Sequence, residues 1–430
     1  MFLTCKRFIR SVLVTAVLVN VSLANSYANS ADTTKFKPAS TELRQFIQSA
    51  YSRHPRLMAA EAELEAVKSQ YSAATMAIYN PELELDTEKT TIRTSTIGFS
   101  QTIDWGDQQG ANTKIAKQRL VAAQAGFQQQ RQKLIRELLA TLINYKNKSR
   151  LAELSKQRMK IMKNFYSLAK RKHAAGDLNQ VELDLAQLAY SESVLNNARI
   201  MAEQVSAEQN YYALYSFQSM GSDISFPELS YAFQNVNLPP NLNAFLLTLP
   251  QMRALRANVE ASKNTIALRE GQSSADPTIA LRGGKEDKES LVGFTISIPL
   301  NVRNSFTAEI EVARKEYLQA EQLAQQAYRN LQGRIRSQTK HYQLTQHAWQ
   351  LWQSAGQVSM NRQLKLLNRL WRAGDLSTTD YLVQIKQNLN TQSAGIELHS
   401  TLWFSWLAWL DATAQIESWL ELKPTSQLGS

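Results

Sequence analysis

The sequence is poor in the two residues that interrupt helices. Only 10 of its 430 residues are proline and 15 are glycine, together about 6%, where soluble proteins average about 12%. No proline occurs between Pro81 and Pro227 or between Pro299 and Pro424, so nothing in those two intervals forbids a long helix. Collagen-like, low-complexity and all-β sandwich folds are therefore excluded, and a mainly α fold is expected.

Cysteine and long apolar runs are also scarce. The one cysteine, Cys5, lies near the start of the chain, so the sequence offers no disulfide framework, thiolate nucleophile or cysteine-based metal site. After the first 28 residues, no stretch approaches 18 consecutive apolar residues. Any later contact with a membrane would have to come from strands or from a surface, and not from a spanning helix.

Residues 1–28 are typical of a secretory signal peptide. Lys6, Arg7 and Arg10 precede an apolar segment at 12–24, and small residues mark a cleavage site after Ala28. The predicted mature chain has 45 Lys and Arg against 37 acidic residues, which lowers the formal charge from +11 to +8. Because this charge is spread along Gln-rich segments, we expect no nucleic-acid partner.

The rest of the chain is a duplicated pattern. Four landmarks recur at offsets of 195, 196, 195 and 198 residues, and each half is predicted to run helix, strand, strand, helix, helix. The predicted divisions are a first repeat at 29–240 (strands about 82–103, hairpin about 104–215), a second at 241–420 (strands about 278–299, hairpin about 305–415) and a tail at 421–430. The landmarks are Pro55 and Pro250, Asn80-Pro81 and Asp276-Pro277, Gly98-Phe99 and Gly293-Phe294, and the Ala-Gly-Asp-Leu segments at 175–178 and 373–376.

The predicted strands alternate apolar and polar side chains over roughly 8 to 11 residues, a length that crosses a bilayer at a tilt. Four strands cannot close a barrel, and an open edge in lipid leaves backbone groups unpaired. A membrane barrel would therefore be shared between two or three chains. The acids of the first strand either line a pore and favour cations or are simply solvated in a wide lumen; they are Glu82, Glu84, Asp86 and Glu88.

Each helical hairpin is predicted to turn near its glycine, Gly176 or Gly374. Glycine supplies the left-handed residue that ends a helix, and Asp177 and Asp375 are expected to cap the next one. Beyond each turn, apolar residues at a three-four spacing predict a seam against partner helices. The seams are Val181, Leu185, Leu188, Leu195, Ala198, Ala202, Val205 and Tyr212 in the first repeat, and Leu382, Ile385, Leu389, Ile396, Trp403, Trp406 and Leu410 in the second.

An aromatic cluster lies near the end of the second hairpin. Because it follows a helical period, we expect it to pack between helices, with a membrane-interface belt as the alternative. Its members are Trp403, Phe404, Trp406, Trp409 and Trp419.

Taken in order, and with Ile-Asp-Trp-Gly at 103–106 ahead of the long helix, these features resemble the TolC-like outer-membrane factors over about residues 40–415. The resemblance implies a homotrimer: a 12-stranded β-barrel in the outer-membrane lipid, continued by a 12-helix α-barrel in the periplasm. It also implies a passive exit duct without a cofactor. A resistance-nodulation-division pump of the inner membrane and a periplasmic adaptor would be its partners. Residues 293–304 look most like the CzcC-like branch, which implies heavy-metal cations as cargo.

The same resemblance suggests which residues close the periplasmic entrance. Asp380, six residues after Gly374, matches an aperture acid of the family, and Glu182 is its counterpart in the first repeat. Trp371 matches an aromatic latch residue. Val383 and Leu376 stand where the family has a second acid and an arginine, so the latch is incomplete in this chain.

Catalytic and metal sites are not expected. The S-x-x-K matches at 167–170 and 337–340 lack the companion motifs of a serine enzyme. His341 and His347 fall on different faces of a helix, and His399 falls on a helix seam, so no i, i+4 metal pair exists. The competing interpretation is a periplasmic coiled-coil adaptor, or a structural envelope protein, without a barrel. An adaptor would carry one hairpin between Gly/Pro-rich β domains, whereas this sequence has two hairpins.

Overall fold

The computed structural model describes residues 37–215 and 233–422, together with Pro227 and Leu229. The predicted signal peptide and residues 423–430 of the predicted tail lie outside these residues. The structure is mainly helical, at 73%, with one small antiparallel sheet. The predicted fold class is therefore confirmed.

Both halves follow the same order of elements. Pro55 and Pro250 are the first residues of α2 and α6, a position where proline's missing N–H is harmless. The first half contains α1 (Thr41–Ser52), α2 (Pro55–Ala74), β1 (Glu82–Lys89), β2 (Arg93–Thr102), α3 (Gln108–Ala174) and α4 (Gln180–Tyr215). The second contains α5 (Leu242–Thr248), α6 (Pro250–Gln272), β3 (Thr278–Glu286), β4 (Glu289–Ser297), α7 (Thr307–Leu351), a π-helical turn (Trp352–Gly356), α8 (Gln357–Ala373), α9 (Thr378–Ala412) and α10 (Ile416–Trp419).

The helices that lead to the two hairpin tips differ. Helix α3 runs unbroken for 67 residues, about 100 Å at 1.5 Å per residue, whereas the π-helical turn separates α7 from α8. There the Trp352 ring fills space that two glycines leave open. A Cβ on Gly356 would lie 2.4 Å from the ring, and one on Gly395 of α9 would lie 2.6 Å from it. Among the described helices, none combines the length and the hydrophobicity that a membrane crossing requires.

The sheet joins the two repeats through its two central strands. Its order is β1-β2-β3-β4 and every pair is antiparallel. Phe99 of β2 lies opposite both Leu83 of β1 and Leu281 of β3, and Leu281 lies opposite Phe294 of β4. Because residues opposite one another share a face, this register places these apolar residues on one face and the four acids of β1 on the other. Leu291 of β4, opposite Gly284, lies on the face of the acids.

One carboxylate ties the sheet to the helices. Asp276, which ends the loop before β3, accepts hydrogen bonds from the Tyr79 hydroxyl (2.8 Å), the Trp105 backbone N–H (3.0 Å) and the Gln108 side-chain amide (2.7 Å). The bond to Asp276 raises the pKa of Tyr79. Since the donors come from the first repeat and the acceptor from the second, Asp276 holds the segments before β1 and after β2 against the segment before β3.

The tryptophans of the predicted aromatic cluster are core residues. Trp403, Trp406, Trp409 and Trp419 are all buried, and the Trp406 ring stacks on Trp409 at a centroid distance of 5.3 Å. Their packing between helices is confirmed, and the membrane-belt alternative is wrong for these four residues. Of the cluster, only Phe404 is exposed.

Candidate functional site

The apolar face of the sheet is uncovered. Val292 is 86% exposed and Leu85 is 75% exposed, although side chains of this type are usually buried. A contiguous exposed apolar surface of this kind marks a membrane or a partner as its neighbour. Its members are Leu83, Leu85, Ile97, Phe99, Leu281, Val292, Phe294, Ile296 and Ile298.

The polar face carries the four predicted acids on its edge strand. Glu82, Glu84, Asp86 and Glu88 lie opposite Ser100, Gly98, Thr96 and Thr94 of β2 and are all exposed. Glu84 accepts a hydrogen bond of 3.4 Å from Ser100.

A cation that the sequence pattern did not reveal lies on this same face. Gly98 faces Glu84 on one side and Arg282 of β3 on the other, so Arg282 belongs to the polar face and not to the apolar one. Its even-numbered position in β3, beside the apolar Ile279 and Leu281, was the signal that could have identified it.

Both edges of the sheet are open. In the part of the chain that the structure describes, β1 pairs with β2 alone and β4 with β3 alone. The outer N–H and C=O groups of these strands can therefore form hydrogen bonds with another strand or with water.

Both hairpin tips have the same backbone geometry. Gly176 and Gly374 have φ of 85° and 88°, the left-handed conformation that glycine adopts without strain. The following residues donate their backbone N–H to the preceding helix, from Asp177 to the Lys172 carbonyl (2.9 Å) and from Asp375 to the Leu370 carbonyl (3.0 Å). These are the bonds of a Schellman-type helix end.

The predicted capping role of Asp177 and Asp375 is wrong. The caps lie two residues further on, where the Asn179 side chain accepts from the Glu182 N–H (2.9 Å) and Ser377 accepts from the Asp380 N–H (3.1 Å). The two aspartates belong to the end of the preceding helix, because their backbone N–H groups bond to its last carbonyls. Their side chains are exposed at the tips.

The two aperture candidates occupy equivalent positions in the first turns of α4 and α9. The exposed Asp380 also accepts a hydrogen bond of 2.7 Å from the Ser377 hydroxyl, so its carboxylate binds the residue that caps α9. Glu182 is half-buried. A structural role for Asp380 is thus visible, and its role at an aperture stays a prediction.

Trp371, near the tip of the second hairpin, is buried, with 3% of its surface exposed. Its ring lies 4.6 Å from Phe165 and stacks on Tyr381 at 4.8 Å, and the Lys172 ammonium lies 5.4 Å from its centroid. Burial raises the pKa of Tyr381 to about 12. The cluster joins α3, α8 and α9; the latch role of Trp371 stays a prediction.

The two predicted helix seams have opposite environments. In α4, Val181, Leu188 and Leu195 are 68%, 66% and 73% exposed, and the face buried within the chain is another one. In α9, the predicted seam is largely buried. The buried residues of α4 are Ala186, Ala189, Ser193, Ile200, Ala207, Tyr211 and Tyr215.

His399 is a packed residue. Its ring lies 4.7 Å from the Trp349 ring, and its Nδ1 lies 3.2 Å from the Arg150 guanidinium. Burial, with a smaller effect of Arg150, lowers the pKa of His399 to about 4. In the residues that the structure describes, no three His, Cys, Asp or Glu side chains are grouped as a metal site would require.

The sequence of the first repeat matches a known family. A family model for outer membrane efflux proteins matches residues 46–215. No relative was found among curated proteins by sequence.

Solved structures of outer-membrane channels share the fold. The CmeC channel of Campylobacter jejuni has a TM-score of 0.74 at 14% identity, covering 93% of each chain. VceC of Vibrio cholerae has a TM-score of 0.72 at 16% identity, covering 88% of this chain and 99% of VceC. The open state of the MtrE channel of Neisseria gonorrhoeae has a TM-score of 0.69 at 15% identity, covering 87% and 89%.

These comparisons confirm the predicted resemblance to TolC-like outer membrane efflux proteins. The family model matches fewer than half of the residues, and the solved structures, at 14–16% identity, show the shared fold. Proteins of the matched family are channels and not enzymes. They do not single out the CzcC-like branch.

Proposed function

We propose that this TolC-like outer membrane efflux protein is the outer-membrane channel of a tripartite efflux system and works as a homotrimeric, passive exit duct. The observation that carries the proposal is the sheet: one apolar face exposed, one polar face, and two open edges. An open edge inside lipid would leave backbone groups without partners, so the sheet must close with other copies. Three copies would give twelve strands, enough for a water-filled lumen.

The exposed seam of α4 supports assembly along the helices. Large aliphatic side chains at a three-four spacing form knobs for a facing helix, and within the chain those of α4 are largely exposed. An adaptor without a barrel would have no use for a sheet with an exposed apolar face. We therefore favour the channel over the coiled-coil adaptor.

The test is extraction and conductance. We expect the protein in outer-membrane fractions, soluble only with detergent, with the mass of three chains by native mass spectrometry. Purified trimers should insert into planar bilayers and conduct ions. A monomer recovered from the periplasm without detergent would overturn the proposal.

We further propose that the tips near Gly176 and Gly374 form the periplasmic entrance and that Asp380 lies at its aperture. The hydrogen bond between Ser377 and Asp380 complicates a simple Asp380 variant, because removing the carboxylate also removes a partner of the residue that caps α9. Ser377→Ala is the matched control, since it removes the cap and keeps the charge. Asp380→Asn should raise closed-state conductance more than Ser377→Ala does. Equal conductances would assign the effect to the cap and refute the aperture role.

The acidic strand is proposed to bias the lumen toward cations. Neutralising Glu82, Glu84, Asp86 and Glu88 together should lower the cation-over-anion permeability ratio in planar bilayers. An unchanged reversal potential would show that these acids are only solvated.

The partners and cargo are proposals of the same kind. The partners are a periplasmic adaptor and a resistance-nodulation-division pump, and the cargo to test first is heavy-metal cations, because of residues 293–304. A deletion strain should be challenged in parallel with divalent metals, copper or silver, and with dyes and antibiotics. Sensitivity to dyes or antibiotics alone would exclude the metal branch and leave the channel proposal intact.

A further inference from the structure

We propose that Arg282 forms an ion pair with Asp86 of the neighbouring copy, across Gly293, at each subunit boundary of the barrel. This inference rests on the proposed trimer. It names the strand register between copies and a residue from each side that holds it.

The direction of the Arg282 side chain is the first observation. Arg282 lies between Gly98 of β2 and Gly293 of β4 on the polar face. A Cβ placed on Gly293 would lie 2.8 Å from Arg282 Nε and 3.0 Å from its Cγ, so the side chain extends over Gly293. At Gly98 the nearest side-chain atoms are the Cβ atoms of Arg282 and Glu84, both 3.5 Å away.

Arg282 therefore points toward the open β4 edge and away from Glu84 of its own chain. Within the described residues it makes no ion pair. The guanidinium is an exposed cation on a face whose edge strand carries four carboxylates.

We take the register between copies from the sequence offsets of the internal repeat. Where the two repeats meet, β2 pairs with β3 and Gly98 lies opposite Arg282. Gly98 corresponds to Gly293 at an offset of 195, and Arg282 corresponds to Asp86 at the offset of 196 that relates Asp276-Pro277 to Asn80-Pro81. If β4 meets the next copy's β1 as β2 meets β3, Gly293 lies opposite Asp86 of that copy.

The same register keeps both faces continuous. It places Phe294 opposite Leu85 of the neighbouring copy on the apolar face, and Thr295 opposite Glu84 of the neighbouring copy on the polar face. A shift by one residue would mix the faces. A shift by two residues also keeps the faces, and the pairing of Gly98 with Glu84 and of Gly293 with Arg282 corresponds to that shift, which would place Glu84 opposite Gly293. The sequence landmarks favour the Asp86 register, and cross-linking distinguishes the two, because the shifted register places Thr295 opposite Glu82.

The distance also suits an ion pair. Strands two apart are separated by about 9.5 Å, which an Arg and an Asp can bridge over a residue that has no side chain. Gly293 leaves that space, and the Arg282 chain already occupies it. Three such pairs would link the copies and neutralise part of the acidic face.

Disulfide cross-linking tests the register. The one cysteine, Cys5, lies in the predicted signal peptide, so the mature chain should carry no background thiol. Thr295→Cys combined with Glu84→Cys should give covalent trimers, because directly opposite residues have Cα atoms about 4.5–5.5 Å apart. Thr295→Cys combined with Glu82→Cys or with Glu88→Cys is out of register and should not cross-link.

The outcomes separate this inference from the proposed function. Trimers that cross-link only through an out-of-register pair, or trimers in which Thr295→Cys with Glu84→Cys stays uncross-linked, would overturn the register and leave the channel proposal standing. Protein that is monomeric before oxidation would overturn the channel proposal itself.

Charge variants test the ion pair. Arg282→Ala and Asp86→Asn should each lower the temperature at which trimers dissociate on denaturing gels, and the double variant should lower it no further than either single one. The exchange of Arg282→Asp with Asp86→Arg should recover part of the loss. Glu84→Gln, an acid two residues away on the same strand, is the control and should have a smaller effect. If Glu84→Gln matches Arg282→Ala, or if Arg282→Ala has no effect, the proposed pair is wrong.

Discussion

The two helical hairpins carry the same apolar pattern and place it in opposite environments. In α9 the three-four seam is buried inside the chain, with Ile385 at 0% exposure. In α4 the large aliphatic residues of the seam are largely exposed, and the helix buries mainly smaller residues against α3. The α9 seam builds the protomer, whereas the α4 seam remains available to another chain.

The difference comes from the position of each helix. Helix α9 contacts α3, α7 and α8, and so has neighbours on several sides. Helix α4 contacts mainly α3, with a smaller contact to α9. One repeat therefore supplies an interior helix and the other an edge helix, and the proposed trimer would use both.

The largest effect is expected from shortening the buried seam. Ile385→Ala removes a fully buried side chain from the core near the hairpin tips and should lower the free energy of unfolding by about 2–5 kcal/mol. Guanidinium unfolding, followed by tryptophan fluorescence in dilute detergent solution, measures it. Leu188→Ala on the exposed seam is the control and should change the unfolding free energy of the unassembled protomer by less than about 1 kcal/mol. Equal losses would remove the distinction between the seams.

Charge on the exposed seam should separate assembly from folding. Leu188→Asp with Leu195→Asp should abolish trimers, because facing helices would have to bury carboxylates, while the circular dichroism of the protomer is unchanged. Light scattering gives the mass. Gln187→Asp with Ser191→Asp adds the same charge at exposed polar positions of the same helix and should leave trimers intact. Wild-type assembly of the seam variant would show that α4 faces water.

The tips are where the hairpins should behave alike. Gly176→Ala and Gly374→Ala each force a side chain into the left-handed conformation and should lower the free energy of unfolding by about 1–2 kcal/mol. No clash adds to this cost, since nothing lies within 4 Å of the new Cβ at either tip. Gly126→Ala, inside α3 and equally free of neighbours, should instead stabilise by about 0.5–1 kcal/mol. Denaturation midpoints of the three variants test this. A clear difference between the two tips would reveal a contact at one of them.

The effect that is smallest near neutral pH concerns His399. Because burial lowers the pKa of His399 to about 4, the unfolded chain, with an ordinary His pKa near 6.5, binds this proton first on acidification. Stability from this group is therefore present above about pH 6.5 and is lost as the pH falls toward 4. His399→Asn should flatten the stability profile in that window, whereas the exposed His347→Asn should not. Parallel profiles for wild type and His399→Asn would contradict the assignment.

Much of the fold could be predicted because local rules determine it. Proline positions mark where helices begin, glycines mark the tips, and alternation in the strands predicts which residues share a face. The helix caps were harder to predict, because Asp177 and Asn179 are both good capping residues. Only the backbone path shows which one faces the free N–H groups. Arg282 was missed because one charge in a Gly-rich strand has no pattern of its own.

The sequence by itself determined the repeat, the helix and strand types and the two-faced sheet, since periodicity and turn residues act over a few positions along the chain. Only the tertiary structure decided which seam is buried, which way Arg282 extends and that Asp276 joins the two repeats. Those outcomes depend on which elements become neighbours, and identical three-four patterns do not distinguish an interior helix from an edge helix. The scarcity of proline and glycine thus explains why the helices are long, and packing explains what each of their faces is for.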